Sequence, residues 1–363
     1  MGGAILAGLL KSGFDPANIS VSTKTAASAE KHIDELGVHA FALENGADAN
    51  AMAVAGADVV LVGVKPAYVT EVLAEIADAI NDNALVISVA AGVTTASMEA
   101  VLPEDVGVVR AMPNTPAIVG RAVTGIAAGE RATDWAVETT VQLFETVGKT
   151  IVLEESRIDA LSTISGSGPA YVFYLIEQLT LAAKHHGFND QDAALLVNET
   201  FLGASELLAA SGKTPEALRK QVTSPNGTTE RAIARMEQTD LAGMFAEATD
   251  AGAARLTEVF QTYLGSVDGV VTVEVDGAGA EDPRFAADDR ARLGRRGAHL
   301  PQRPQLDDAG PGRGHVPGLL RGAQAGRQAA GAGVLAGGPA AAQGLRLVFL
   351  QGVAAHRAGG GRR

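Results

Sequence analysis

The sequence predicts an α/β chain: a doubly wound, mostly parallel sheet over residues 1–150, an all-helical domain over 151–265 and a low-complexity tail over 266–363. Three observations lead there. Short β-branched runs alternate with helix-like segments in the first 150 residues, the pattern of a parallel sheet covered on both faces. After residue 150 the strand-like runs stop and long helical stretches follow. From Gly277 onward the apolar period is lost to Gly, Ala, Arg, Pro and Gln.

Composition bounds the function classes. A length of 363 residues suits two domains, or two domains and a tail. The chain has no Cys, which excludes disulfides and Cys-ligated metals, and no metal-ligand set is expected. No uninterrupted apolar run reaches the ~18 residues of a membrane span, and the first residues lack the order of a signal peptide. A cytoplasmic protein with no membrane partner is the expectation. Residues 277–363 hold 13 Arg, no Lys and 6 Asp/Glu, so the tail is basic in a chain of net charge −13. Such a segment has little apolar area to offset its ordering entropy, so disorder is expected for 266–363. Its composition is also what an out-of-frame reading of GC-rich coding sequence gives, and no nucleic-acid partner is expected from its arginines.

Taken in order, Met1-Gly2-Gly3-Ala4-Ile5-Leu6 reads as the back half of a glycine-rich nucleotide turn entering a helix. The strand and first glycines that should precede it are missing from the front of the chain. A first strand covers 19–22 after an Asp15-Pro16 turn. Buried-type strands follow at 58–64, 84–89 and 106–112, with helices at 71–80 and 95–101 between them. This is a Rossmann-like arrangement with its first strand absent, and ligands of such sheets sit beyond the carboxyl ends of the strands.

Those ends carry distinctive residues. One reads Gly63-Val64-Lys65-Pro66, another Ala90-Ala91-Gly92, whose small side chains admit close approach of a ligand to the main chain. A third reads Met112-Pro113-Asn114-Thr115-Pro116, a proline-pinned loop around an amide. The 19–22 strand runs into Ser22, Thr23 and Lys24, with hydroxyls and a cation where NAD-preferring sites place a carboxylate. That favours NADPH, with NADH still possible.

In the helical half, Ser165-Gly166-Ser167-Gly168-Pro169 reads as a turn meeting a helix start, with Pro169 in the first turn. Further helices are expected near 190–210, 214–222, 228–237 and 241–264. The loop Thr223-Ser224-Pro225-Asn226-Gly227-Thr228-Thr229 opens the third of these, offering amides and hydroxyls suited to a carboxylate; alternatively Thr228 or Thr229 is a plain N-cap. His185 and His186 read as exposed residues of a helix.

Together these motifs resemble one family, pyrroline-5-carboxylate reductase, over residues 1 to about 265. The motifs at 165–171 and 222–229 are the most specific. The resemblance implies hydride transfer from NADPH to the C=N bond of 1-pyrroline-5-carboxylate, giving L-proline in proline biosynthesis. It also implies a homodimer or larger homo-oligomer with interlocking helical domains. By the same resemblance, Met1, Gly2 and Gly3 lie by the pyrophosphate, and Ser22, Thr23 and Lys24 by the ribose phosphate. Asn50, Gly63, Val64, Lys65, Pro66, Ala90, Ala91, Gly92 and Asn114 line the cofactor. Glu155, Gly227, Thr228 and Thr229 border the substrate, with Thr229 the catalytic hydroxyl near the ring nitrogen. Two other readings remain. A β-hydroxyacid dehydrogenase-like oxidoreductase shares the plan but needs a helix Lys, for which only Lys184 is available. A non-catalytic dimerising fragment would follow if the shortened nucleotide loop held no cofactor.

Overall fold

The structure, a computed structural model, describes residues 1–264 and 344–352, with side chains described through 255 and over 344–352. All of these fall in one compact unit; a second unit, 269–336, lies outside the described residues. The first half alternates helix and strand: α1 (Gly2–Lys11), β1 (Ile19–Thr23), α2 (Ala26–Leu36), β2 (His39–Ala42), α3 (Ala49–Val54), β3 (Val59–Val62), α4 (Val69–Ile76) and β4 (Leu85–Ser88). It continues through α5 (Thr95–Glu99), β5 (Gly107–Met112), β6 (Ala122–Ala128), α6 (Asp134–Glu145) and β7 (Gly148–Val152). The caps agree with the sequence: Thr25, Thr94 and Thr133 each accept a backbone N–H at the start of α2, α5 and α6.

Eight strands form one sheet in the order β2-β1-β8-β3-β4-β5-β6-β7, where β8 is Leu347–Leu350. Every pairing is parallel except β5 with β6. Alternate residues along the central strands go to opposite faces, as the period of a strand requires. Leu61, Ile87 and Phe349 join Ile5, Leu6 and Leu9 of α1 and Phe144 of α6 in one core. Val60, Val86 and Val348 join Val72, Leu73 and Ile76 of α4 and Met98 of α5 in the other. The expected doubly wound sheet is therefore observed, with helices over both faces.

As expected, no strand precedes α1, but the central slot that such a strand would take is filled by β8. Leu347, Val348, Phe349 and Leu350, from the far end of the chain, lie between β1 and β3 in parallel register with both. Val21 pairs with Phe349 on one side, and Leu61 on the other. All four side chains are buried, the most exposed at 3%. The physical reason is local. Leu345 to Leu350 is an unbroken apolar run apart from Arg346, as a strand covered on both faces needs. The slot supplies ladder partners and apolar walls worth ~1.5–3 kcal/mol per buried side chain. Asp58 anchors the entry: its carboxylate accepts from Arg346 N–H at 2.7 Å, and its own N–H donates to Arg346 O at 3.0 Å. The rest of the tail, for which disorder is expected above, lies outside the described residues.

The second half is helical: α7 (Ile158–Leu161), α8 (Gly168–His185), α9 (Asp190–Ser211), α10 (Pro215–Gln221), α11 (Thr228–Met236) and α12 (Leu241–Leu264). The Gly/Ser stretch before Pro169 is not the turn expected from sequence. Residues Ser162–Gly166 form a π-helical turn, with Ser167 N–H donating to Ser162 O at 2.9 Å, so the chain stays helical from α7 toward α8. α8 buries no residue and α9 only Ala193 and Val197. Phe173, Tyr174, Leu181 and Leu195 are about three-fifths exposed. Among the described residues, α9 is also long and apolar enough to cross a membrane by length and composition.

Candidate functional site

β1, β8, β3 and β4 are parallel, so their carboxyl ends lie on one side of the sheet, where a doubly wound fold has its ligand crevice. At β1, Ser22 is fully buried and Thr23 nearly so, while Lys24 is exposed. Thr23 Oγ1 donates to Thr25 O at 3.0 Å, which holds the bend; Ser22 Oγ has no partner among the described residues. At β3, Gly63 N–H donates to Leu350 O at 3.0 Å, Val64 is buried, Lys65 is exposed and Pro66 starts a 3₁₀ turn. At β4, Ala90 is buried and Ala91 and Gly92 half-buried, Gly92 at φ 85°, a left-handed backbone that suits glycine.

Asn50, on α3, is fully buried and reaches the same crevice. Its amide donates to Glu75 Oε2 at 3.2 Å and lies 3.5 Å from Gly352 O, whereas its Oδ1 has no partner among the described residues. Burial pushes the Glu75 carboxyl above the ordinary range; the Asn50 hydrogen bond opposes this and the Glu71 charge adds to it. Met1 caps α1 without a side-chain hydrogen bond, Gly2 is buried and Gly3 exposed. Gly2 lies beside Gln351, the residue after β8, whereas Gly3 faces open space.

Asn114, buried at the end of β5, acts as a bracket. Its Oδ1 accepts from Val123 N–H at 2.9 Å and its Nδ2 donates to Ser165 O at 2.9 Å, tying the proline-pinned loop to the π turn.

Glu155 lies in a network that the sequence reading did not find. Both its oxygens accept from Thr95, from the backbone N–H at 2.8 Å and from Oγ1 at 2.8 Å. Arg110, 3% exposed on β5, lies 3.5 Å from Glu155 and 2.8 Å from Asp159 Oδ1. The network joins β5, α5 and the entrance to α7. Arg110 was legible as part of the motif around Asn114, but a cation inside an apolar strand signals a buried partner, and that partner is non-local.

Gly227 is the N-cap of α11, with Thr228 exposed and Thr229 half-buried. Neither hydroxyl caps the helix, which removes the plain N-cap reading and leaves the first-turn amides free of side-chain caps. Asn226 adopts φ 61°, and its N–H donates to Glu230 Oε2 at 2.7 Å. The described hydrogen bonds of this loop stay within the α10–α11 segment, so within one chain they do not join Thr229 to Glu155. His185 and His186 are exposed, and Lys184 pairs with Asp190 at 2.7 Å on the surface, which leaves the dehydrogenase reading without its lysine in the crevice.

Two family models match the chain: pyrroline-5-carboxylate reductase dimerisation over residues 155–259, and NADP oxidoreductase, coenzyme F420-dependent, over residues 1–92. The pyrroline-5-carboxylate reductase of Pseudomonas aeruginosa is 36% identical over 260 residues, covering 71% of this chain and 93% of the relative. That of Corynebacterium melassecola is 36% identical over 262 residues, covering 71% and 95%. Among solved structures, a pyrroline-5-carboxylate reductase from Coxiella burnetii superposes with a TM-score of 0.66 at 35% identity, over 70% of this chain and 93% of that one. The strand-end motifs, the helical half and the extent of these matches coincide: the chain belongs to the pyrroline-5-carboxylate reductase family.

Proposed function

We propose that this chain reduces 1-pyrroline-5-carboxylate to L-proline with NADPH, as a homodimer or larger homo-oligomer in the cytoplasm. The observation that carries the reading is the crevice itself. Fully buried Ser22 Oγ and Asn50 Oδ1 lack partners among the described residues, beside strand ends made of small residues, in a chain 36% identical to named reductases. Orphaned buried polar atoms cost free energy unless a ligand completes them. Hydroxyl and phosphate groups of a dinucleotide fit that donor and acceptor set.

The nicotinamide, when bound, supplies the hydride. The protein's part is placement and charge. Ser22, Thr23 and Lys24 hold the 2′-phosphate that distinguishes NADPH, with Lys24 contributing the cation. Met1, Gly2 and Gly3 present the α1 N-terminus to the pyrophosphate. Asn50, Gly63, Val64, Lys65, Pro66, Ala90, Ala91 and Gly92 line the rest, and Asn114 fixes the wall behind. The uncapped amides of Thr228 and Thr229, set in place by the Gly227 N-cap, receive the substrate carboxylate, and Thr229 Oγ1 hydrogen-bonds the ring nitrogen, favouring the protonated imine as acceptor.

Exposed apolar side chains on α8 and α9 support assembly through the helical half, since such surface is costly to leave in water. The test is NADPH oxidation followed by absorbance with pyrroline-5-carboxylate, alongside sedimentation. Turnover by an oligomer is expected; an oligomer that neither binds NADPH nor turns over would favour the non-catalytic reading.

A further inference from the structure

A Rossmann nucleotide turn joins a strand, a glycine-rich bend and a helix N-terminus in one continuous stretch. In this chain the helix is at the front of the sequence and the strand at the far end. We propose that Gln351 and Gly352, with Met1, Gly2 and Gly3, form the pyrophosphate-binding turn from these two separated segments. This rests on the NADPH reading above and assigns to the tail a binding role that the family's matched region does not contain.

The geometry points there in three ways. First, β8 runs parallel to β1 and β3, so its carboxyl end opens on the same crevice as theirs. Gln351 N–H donates to Ser22 O at 3.2 Å, and Leu350 O accepts from Gly63 N–H at 3.0 Å. The bend is thus pinned between the two strand ends that a dinucleotide would span.

Second, the bend has the steric signature of a nucleotide glycine. A Cβ on Gly352 would lie 2.6 Å from Leu43 Cδ1, 2.9 Å from the Thr23 carbonyl carbon and 3.0 Å from its oxygen. Two of those neighbours are backbone and cannot yield. A Cβ on Gly2 would lie 2.7 Å from Gln351 Nε2, so α1 starts against the bend only because residue 2 lacks a side chain.

Third, polar atoms around this bend lack protein partners. Gln351 Nε2 is a buried amide donor without a hydrogen bond among the described residues, and Ser22 Oγ and Asn50 Oδ1, on fully buried residues, are in the same state. Asn50 Nδ2 lies 3.5 Å from Gly352 O, so the Asn50 amide touches the bend. One donor beside a helix N-terminus, with a hydroxyl and an acceptor nearby, suits a phosphate joined to a sugar diol.

The experiment uses the intact chain and compares it with Gln351→Glu and Gln351→Ala, measuring NADPH affinity by fluorescence titration. Hydrogen exchange at the 347–350 amides, with and without NADPH, is read in parallel. A carboxylate at 351 stands beside the phosphates, so Gln351→Glu should weaken binding roughly tenfold or more, with its melting temperature kept. Gln351→Ala, which loses the donor but brings no charge, should weaken binding, though less than Gln351→Glu does. NADPH should slow exchange of the β8 amides in the intact chain. Unchanged affinity in Gln351→Glu, absence of NADPH binding by the intact chain, or β8 exchange indifferent to NADPH would each overturn the proposal. NADPH binding that shows the Gln351 effect without turnover of pyrroline-5-carboxylate would uphold it and overturn the substrate reading alone.

Discussion

Phe349→Ala tests the most consequential feature of the fold, the strand supplied by the far end of the chain. Phe349 is 1% exposed and sits in the core face formed with Ile5, Leu6, Leu9, Leu61 and Ile87. It pairs with Val21 on one side and Leu61 on the other, so the site is braced by two strands and can collapse only a little. Truncating a buried Phe in such surroundings costs ~3–5 kcal/mol, the upper part applying where the cavity persists. For a domain of this size each kcal/mol shifts the melting temperature by ~2–4 °C, so a loss of about 6–20 °C is expected. The exposed Lys31→Ala, which removes only an i,i+4 pair at 4.0 Å, is the reference and should change stability by less than ~0.5 kcal/mol. Thermal unfolding by circular dichroism measures both. If Phe349→Ala melts with the reference variant, β8 is not docked between β1 and β3. By the same logic a chain ending near residue 265 should melt lower than the intact chain, because that cut removes β8.

Thr229→Ala should lower kcat/KM for pyrroline-5-carboxylate by ~1–3 kcal/mol of transition-state stabilisation, read by steady-state kinetics; an unchanged value removes Thr229 from the site. Lys24→Glu should erase or reverse a preference for NADPH over NADH through repulsion of the 2′-phosphate, and equal efficiency with both cofactors before and after would count against the assignment. Glu75 has its carboxyl pushed up in the folded state, so the protonated form is the one that folding favours. Stability from this group is therefore present at acid pH, below its unfolded value near 4.5, and lost as pH rises through the raised folded value. Glu75→Gln, which keeps an acceptor for Asn50, should raise stability in denaturant titrations at pH 7 and change it little at pH 4; the opposite ordering would mean the group is stabilised as the carboxylate.

The parts of the fold legible in the sequence were those where one segment decides its own environment. The runs that became β3, β4 and β5 are mostly apolar and rich in Val because both faces of a parallel sheet bury them, and they were read within a residue or two of their ends. β6 (Ala122–Ala128) was not, since Ala, Gly and Thr fill positions where a Cβ is already crowded: one on Gly125 would lie 2.8 Å from Leu161 Cδ1. At the site, Ser22, Asn50 and the strand-end glycines follow from local pattern or resemblance. The Arg110–Glu155–Asp159 network does not, because its members lie 45 to 49 residues apart and neither end signals the other's position.

β8 was missed for a different reason, and that reason bears on the nucleotide turn. Averaged over 277–363, the composition predicts a segment that cannot pack, yet a strand needs only four or five residues if the rest of the sheet is already built. The decisive quantity is the vacancy that β1 and β3 would leave: two parallel strands whose facing N–H and C=O groups are otherwise unpaired at the centre of the sheet. An apolar run anywhere in the chain can fill it, because loop closure costs only ~0.6 kcal/mol per doubling of length. Once β8 is in place its carboxyl end cannot avoid the crevice, since parallel register with β1 and β3 fixes the direction. Gln351 and Gly352 then stand against the start of α1 by topology alone, and the orphaned polar atoms of Ser22, Asn50 and Gln351 gather around one bend. The position of the strand in sequence is thus immaterial to the site, whereas its direction and the glycine that follows it are not.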